Sequence, residues 1–402
     1  MLEENHSLFS RLIPIIGISG VFLYILSLSL PAGLNIAVVF ASISGVIVAV
    51  SGNVNRFSLK QPLVLPIAIF VILSFLSVLI SIHPPSSFSL TLPLIPAILI
   101  YFLIVELFNV KHIRLLYLAF SIVAIVISLT VLVAFFQSTT NSPFAWITAA
   151  KHPLLVVPND LIFISLIAPL SVSLVYQKPR SLISIVAIIS ILLTVSVIVI
   201  FQSRGALFTL LFSVTCVAGL LWPRSLKAFA ILTVLLILLV SLVIGVDVMR
   251  NYALFNKFAR GGISGRLSVW LITWQMFLDA PLLGHGIHTF WLLLKTYSEA
   301  INVPIRGMSW AHNLYVETLA EQGIVGFTSL IAVLLNSLWV SWKTTKAQRL
   351  DVRILSIGAL AAMLGFCLGA ISEITFIRYW CVAMFFSLLA IITVLWDGAN
   401  NE

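Results

Sequence analysis

Apolar runs long enough to cross a bilayer follow one another along almost the whole chain, and no other feature constrains its fold as strongly. A hydrocarbon core about 30 Å thick takes roughly 20 apolar residues as a helix. A backbone in lipid must also satisfy its own polar groups, which favours helices. Twelve such runs can be read: Leu12–Leu30, Leu34–Val50, Pro62–Ile80, Leu92–Phe108, Leu115–Phe136, Leu155–Tyr176, Leu182–Ile200, Ala206–Leu221, Ala228–Val246, Leu314–Val340, Ile354–Ile371 and Phe376–Leu395. They predict an all-α, polytopic membrane protein in which residues 1–402 form a single integral membrane domain. The first run lacks a small-residue cleavage site and more spans follow it, so it reads as a span and not as a cleaved signal.

Composition agrees. The chain is 61% hydrophobic and only 9% charged, whereas a soluble globule is about one quarter charged. A nucleic-acid binder is excluded despite the formal net charge of +9, because the basic residues sit in short clusters between apolar runs. Cys216, Cys367 and Cys381 lie inside such runs, where a thiol behaves as a small hydrophobe and not as part of a disulfide framework.

Lys and Arg placement sets the expected orientation. With the N-terminus inside, 13 of the 22 cations fall in inner loops: Arg11, Arg56, Lys60, Lys111, Arg114, Lys178, Arg180, Arg224, Lys227, Lys343, Lys346, Arg349 and Arg353. Short outer turns carry only Lys151, Arg204 and Arg378. A cation in a short outer turn opposes the usual bias. It is either a snorkelling or paired residue at a helix end, or a residue kept for chemistry.

Residues 247–312 form the one large outer loop. Arg250, Lys257, Arg260, Arg266, Lys295 and Arg306 outnumber Asp247, Asp279 and Glu299 there, which points to an anionic ligand. Leu267, Trp270, Leu271, Trp274, Phe277 and Leu278 recur at helical spacing. They predict an amphipathic helix at the membrane interface, with Ser264 as N-cap, Arg266 in its first turn and Pro281 beyond its end. Its bland reading is a lid with an incidental arginine. Gly284-His285-Gly286 reads as a turn, since the preceding strand and third glycine of a dinucleotide site are absent. His285 and His288 have a metal-like spacing, but no ligand set is completed around them and no metal site is assigned.

His312 stands at the outer mouth of the longest span, near a helix N-terminus that favours neutral imidazole and attracts anions. It is a cap or a general base. Glu317 and Glu321 share one face of the following helix, with Arg204 or Arg378 as candidate partners. At about 100° per residue, Glu321 points away from His312 if the helix is regular, which argues against a dyad between them.

His312-Asn313, nine residues, then Gly323-Ile324-Val325-Gly326 resembles the signature of O-antigen ligases. Ser203-Arg204-Gly205 in an outer turn, Gly265-Arg266-Leu267 with Trp270, and Pro281-Leu282-Leu283-Gly284-His285-Gly286 are similar to further features of that superfamily, in the same order. Ligases often follow the last glycine with two threonines, whereas here Phe327 precedes Thr328.

The resemblance implies a fold of about 12 transmembrane helices with one large periplasmic loop. It also implies an inverting, metal-independent glycosyltransferase of the GT-C kind that needs no cofactor. Such an enzyme sits in the Gram-negative inner membrane with both termini cytoplasmic. It moves a glycan from undecaprenyl diphosphate to a sugar hydroxyl of lipid A-core, completing lipopolysaccharide. On that reading His312 is the base. Arg204 and Arg266 clamp the diphosphate, with Arg260 and Arg378 as further candidates, and Asn313, Glu317, Gly323 and Gly326 support the site. O-antigen polymerases and protein O-oligosaccharyltransferases share this architecture. A lipid-linked sugar transporter is the rival from another class. It would show repeated halves and ionisable residues near the midplane, and no internal repeat is found.

Overall fold

The computed structural model describes residues 2–30, 33–51, 56–138, 142–152, 154–155, 157–221, 263–305 and 309–400. Its helices are α1 Leu2–Ser27, α2 Gly33–Val50, α3 Val64–Leu79, α4 Pro84–Thr91, α5 Leu94–Leu107, α6 Val110–Gln137, α7 Pro143–Ala149, α8 Ile162–Gln177, α9 Leu182–Ile200, α10 Arg204–Leu221, α11 Ile263–Asp279, α12 Phe290–Ala300, α13 Leu314–Thr344, α14 Leu350–Gly369 and α15 Tyr379–Asn400. A short 3-10 turn, Pro158–Leu161, leads into α8. No strand occurs among the described residues.

Eight helical segments among the described residues are long and apolar enough to cross a membrane: Pro84–Leu107, Val110–Gln137, Pro158–Gln177, Leu182–Ile200, Arg204–Leu221, Leu314–Thr344, Leu350–Gly369 and Tyr379–Asn400. Three shorter apolar helices, Leu12–Ser27, Val38–Val50 and Val64–Leu79, coincide with the first three predicted runs. The predicted run Ala228–Val246 and the candidate Arg260 lie outside the described residues. The described residues are thus all-helical in their regular structure, and the protein is a multi-pass membrane protein. Aliphatic side chains that a soluble fold would bury stand outward along these helices, among them Val46, Ile72, Leu192 and Leu335. A lipid-facing surface carries no penalty for such groups.

Helix α15 runs through the middle of the bundle, packed on α5, α13 and α14, and α8 lies between α9, α10 and α14. Buried serines and threonines return their hydroxyls to carbonyls within their own helices, as Ser213 does to Thr209 and Ser341 to Ser337. Ser121 and Ser171, besides bonding Tyr117 and Ile167 in their own helices, bridge α6 and α8 at 2.8 Å. This satisfies polar groups where water is absent. Elsewhere Asn109 caps α6, accepting the N–H groups of Lys111 and His112.

A second, smaller core joins Val269, Ile272 and Met276 of α11 to Phe290 and Leu294 of α12 and Ala320 of α13. It forms a cap over one end of the bundle. The stripe expected on α11 lies on its other side, where Leu267, Leu271, Trp274 and Leu278 are each about half exposed. So α11 is apolar on two faces, one against α13 and one directed outward. Ser264, expected as its N-cap, falls one residue inside the helix, which begins at Ile263.

The longest span is not a regular helix. Gly323 has φ 62° and ψ −165°, a conformation that interrupts α13 and that residues with a Cβ adopt only under strain. In an unbroken helix Ile324 and Val325 would donate to Ala320 and Glu321. Here they donate to Pro281 and Leu282 at 2.9 and 3.3 Å. The freed carbonyls of Ala320 and Glu321 accept from His285 and Gly286 at 3.2 and 2.8 Å. Two ladder bonds are exchanged for four, and the Pro281–Gly286 turn is threaded into the break. The glycines follow from that contact: a Cβ on Gly323 would lie 2.3 Å from the Leu282 oxygen, and one on Gly284 2.3 Å from the Glu321 carbonyl carbon.

Candidate functional site

The segment before α13 is held on three sides. Asn313 caps the helix by accepting the N–H groups of Tyr315 and Val316 at 3.0 and 3.3 Å. The Leu314 N–H donates to Ala370 at 2.9 Å, and the Trp270 indole donates to the Ala311 carbonyl at 2.9 Å. Between these fixed points His312 takes φ 50°, a left-handed conformation uncommon for a residue with a side chain.

Its ring meets a residue that the sequence reading had not singled out. Glu373, in the turn between α14 and α15, brings Oε2 to 3.2 Å from His312 Nδ1. Its other oxygen accepts from the Arg266 guanidinium and from Asn159 Nδ2 at 2.6 Å. Asn159 in turn accepts from the Ser203 hydroxyl at 3.2 Å. The Glu373 side chain is 4% exposed, against 21% for His312 and 31% for Arg266. The carboxylate is therefore the buried hub, and the two basic groups reach outward from it. Gly205 leaves room for it, since a Cβ there would lie 3.2 Å from Glu373 Cγ.

Burial, then the charges of Arg266 and Arg378, lower the His312 imidazole to about 4. It is neutral at ordinary pH. A carboxylate can only accept, so the hydrogen of neutral His312 lies on Nδ1 and the lone pair on Nε2. Arg266 is itself held below the usual guanidinium value by burial and then by the charge of Arg204. Arg204 opens α10 from an exposed position.

Arg266 and Arg378 thus lie near enough to His312 for their charges to act on it, and Arg204 lies near Arg266. Arg378 is tied inward, with Nη1 3.7 Å from Asp160 Oδ2. Asp160 also accepts from the Trp380 indole at 3.3 Å and from the Val157 N–H at 2.9 Å.

Among the described residues no ion pair joins the acids of α13 to an arginine, although the expected partner Arg378 lies near enough for its charge to act on Glu317. Glu317 Oε1 accepts from the Thr375 hydroxyl at 2.5 Å. Glu321 Oε1 accepts the Phe290 N–H at 3.0 Å, placing a carboxylate at the N-terminus of α12, where the helix dipole favours it. His285 Nε2 lies 2.9 Å from the Met276 carbonyl, and His288 is buried. Gly326 packs on the Gln322 side chain.

Glu373, Asn159 and Asp160 were missed because they lie in no motif and come from two separate turns. One signal was present: Glu373 is an acid in a short turn expected to lie outside, five residues from Arg378, in a chain with only 13 acids.

Fold and site together define a multi-pass membrane protein with a neutral histidine and two outward-reaching arginines gathered at one end of its bundle. Residues 189–331 match the model of the O-antigen ligase family. That match spans about a third of the chain, and over it the chain is similar to the O-antigen ligase family. The matched segment includes Ser203, Arg204, Arg266, His312, Gly323 and Gly326, and ends before Glu373. No curated protein matches the chain.

Proposed function

We propose that this protein is an O-antigen ligase. It transfers the O-antigen polysaccharide from undecaprenyl diphosphate to a sugar hydroxyl of lipid A-core, at the periplasmic face of the Gram-negative inner membrane. Both termini are cytoplasmic, and residues 247–312 form the periplasmic loop. The observation that carries this reading is the Glu373 carboxylate shared between His312 and Arg266, because it joins a base to a phosphate-binding cation.

The chemistry balances without a further reactant. The acceptor oxygen attacks the anomeric carbon of the donor as its proton passes to His312 Nε2, the nitrogen left free by Glu373. A new glycosidic bond forms with inversion, the bond to the diphosphate breaks, and undecaprenyl diphosphate leaves with the electron pair. Arg204 and Arg266 take up the charge that develops on the leaving group. A guanidinium stays protonated and matches phosphate oxygens two at a time. Glu373 holds Arg266 and His312 in register, so both reactants are met by groups already oriented. The outward stripe of Leu267, Leu271 and Trp274 starts next to Arg266 and offers an apolar track for a prenyl tail. Asn313, Glu317, Gly323 and Gly326 hold the segment that carries His312.

Purified wild type should join lipid-linked O-antigen to lipid A-core, and His312→Ala should lose activity by about 10²–10⁴ while still inserting and folding. Near wild-type transfer by His312→Ala would remove the base from this scheme. Supplying lipid A-core and a second lipid-linked glycan together separates ligation from polymerisation, because the two acceptors give different products.

A further inference from the structure

The end of the bundle far from His312 holds a cavity of about 560 Å³. It opens where the α5–α6 turn, the 56–61 segment, the α13–α14 turn and the last turns of α15 meet. Arg56, Lys111 and Arg349 line it from three separate segments, and Asp397 is the acid among its described lining residues.

The polar groups around it are unequally engaged. Glu106, just behind, is occupied by the backbone N–H groups of Arg56 and Phe57 at 2.9 and 2.7 Å. The Arg56 guanidinium instead uses one arm on the Phe108 carbonyl, at 2.9 Å. Asp397 accepts from Gln61 at 2.6 Å, and Arg349 pairs with Asp351 at 2.8 Å on the exposed rim. Lys111 is exposed, and its ammonium has no ion-pair partner among the described residues. Three cations and one acid, itself already held, therefore line the cavity; Asp351 meets the Arg349 charge and Glu106 lies behind Arg56, which leaves Lys111 as the cation with no acid set against it among the described residues.

Its depth in the membrane is marked by aromatic residues. Trp339 and Trp342, 48% and 47% exposed, stand near the end of α13. Lys343 lies 4.1 Å over the first ring and Lys346 5.2 Å over the second. Trp339 packs at 6.0 Å on Trp396, the neighbour of Asp397. Tryptophan and lysine together mark a membrane–water interface, so the cavity lies at the level of lipid phosphates. Phe108 gives it an apolar side as well.

The geometry points to a second ligand site here, which binds a phosphate-bearing anion and is filled by the headgroup of an anionic phospholipid from the adjacent leaflet. Basic pockets between membrane helices hold acidic headgroups in this way. The site shares no residue with the His312 cluster, and its test does not depend on glycan transfer.

Full-length protein in detergent would be titrated with phosphatidylglycerol, phosphatidylcholine and inorganic phosphate, with binding read by native mass spectrometry. Phosphatidylglycerol should bind wild type about tenfold more tightly than Lys111→Glu, and phosphatidylcholine should bind both alike. Arg349→Ala, also on the rim, should weaken binding in the same direction, and Lys295→Glu at the other end should not. Lys111 is exposed, so unchanged melting of Lys111→Glu without lipid shows an intact fold. If inorganic phosphate binds with this dependence on Lys111 and phosphatidylglycerol does not, the phosphate site stands and the headgroup assignment falls. Equal binding of both ligands to wild type and Lys111→Glu overturns the proposal.

Discussion

His312 presents Nδ1 to the Glu373 carboxylate at 3.2 Å, across 61 residues of sequence and two helices. This contact leaves the lone pair of the neutral ring on Nε2, the nitrogen that acts as base in the proposed reaction. It also ties His312 to Arg266, because the second Glu373 oxygen is bound to that guanidinium. The first prediction tests the tie. Glu373→Gln keeps the size of the side chain but offers one accepting oxygen and no charge. Transfer should fall by about 10–10³, mostly in kcat, and the pH profile should shift. Glu373→Asp should recover part of the rate. An unchanged pH profile with a changed KM would mark Glu373 as merely structural.

Lysine cannot replace the arginines. Arg204→Lys and Arg266→Lys keep the charge but lose the planar fork, which costs about 2 kcal/mol per lost charge-assisted bond, or roughly thirtyfold in rate. Arg266→Lys should be the worse of the two, because Arg266 also holds Glu373. Steady-state transfer with purified variants measures both. Full activity in either would release that residue from the diphosphate clamp.

The depressed imidazole values set the pH behaviour. His312 and His288 are both lowered to about 4, in each case first by burial, whereas an unfolded histidine titrates near 6.5. Between these values the unfolded chain binds protons that the folded protein does not. Stability should therefore be complete above about pH 6.5 and fall as pH drops toward 4. Melting scans in detergent across this range measure the loss, which should be smaller in His288→Gln. The transfer rate should hold at pH 5.5, where an ordinary histidine would be largely protonated, and decline only nearer pH 4.

Gly323→Ala should be far more damaging than its size suggests. Its φ of 62° and the Leu282 oxygen in the way bring strain of about 1–3 kcal/mol before any clash is counted. Gly326→Ala also meets a close atom, Gln322 Cβ at 2.2 Å, so it should destabilise too, but Gly326 has no positive φ to add strain. Melting temperatures should rank wild type above Gly326→Ala, and Gly326→Ala above Gly323→Ala. The reverse order would show that the interlock bears little of the stability.

Much of this was legible in the sequence because charge is so scarce. Arg204, Arg266 and Arg378 stood out as expected outer cations; the structure brings Arg266 and Arg378 near His312 and Arg204 near Arg266. Helices were legible from apolar runs alone, since lipid leaves the backbone few alternatives. Glu373 was not legible. Its partners come from α11 and the start of α13, and only packing brings those segments to its turn. Helical counting from His312 spoke against a dyad with Glu321, and the acid that does meet the ring belongs to another element. The break at Gly323 was hidden because a glycine inside an apolar run looks the same whether its helix continues or parts.

That break has a consequence for anyone who would edit this protein. The Pro281–Gly286 turn completes the backbone of α13, so loop and span are a single mechanical part. A chimera that exchanged only the loop for that of a relative would strand four backbone groups of α13, each costing several kcal/mol away from water. The unit that can be transplanted runs from the start of α11 through Val325, with His312 inside it.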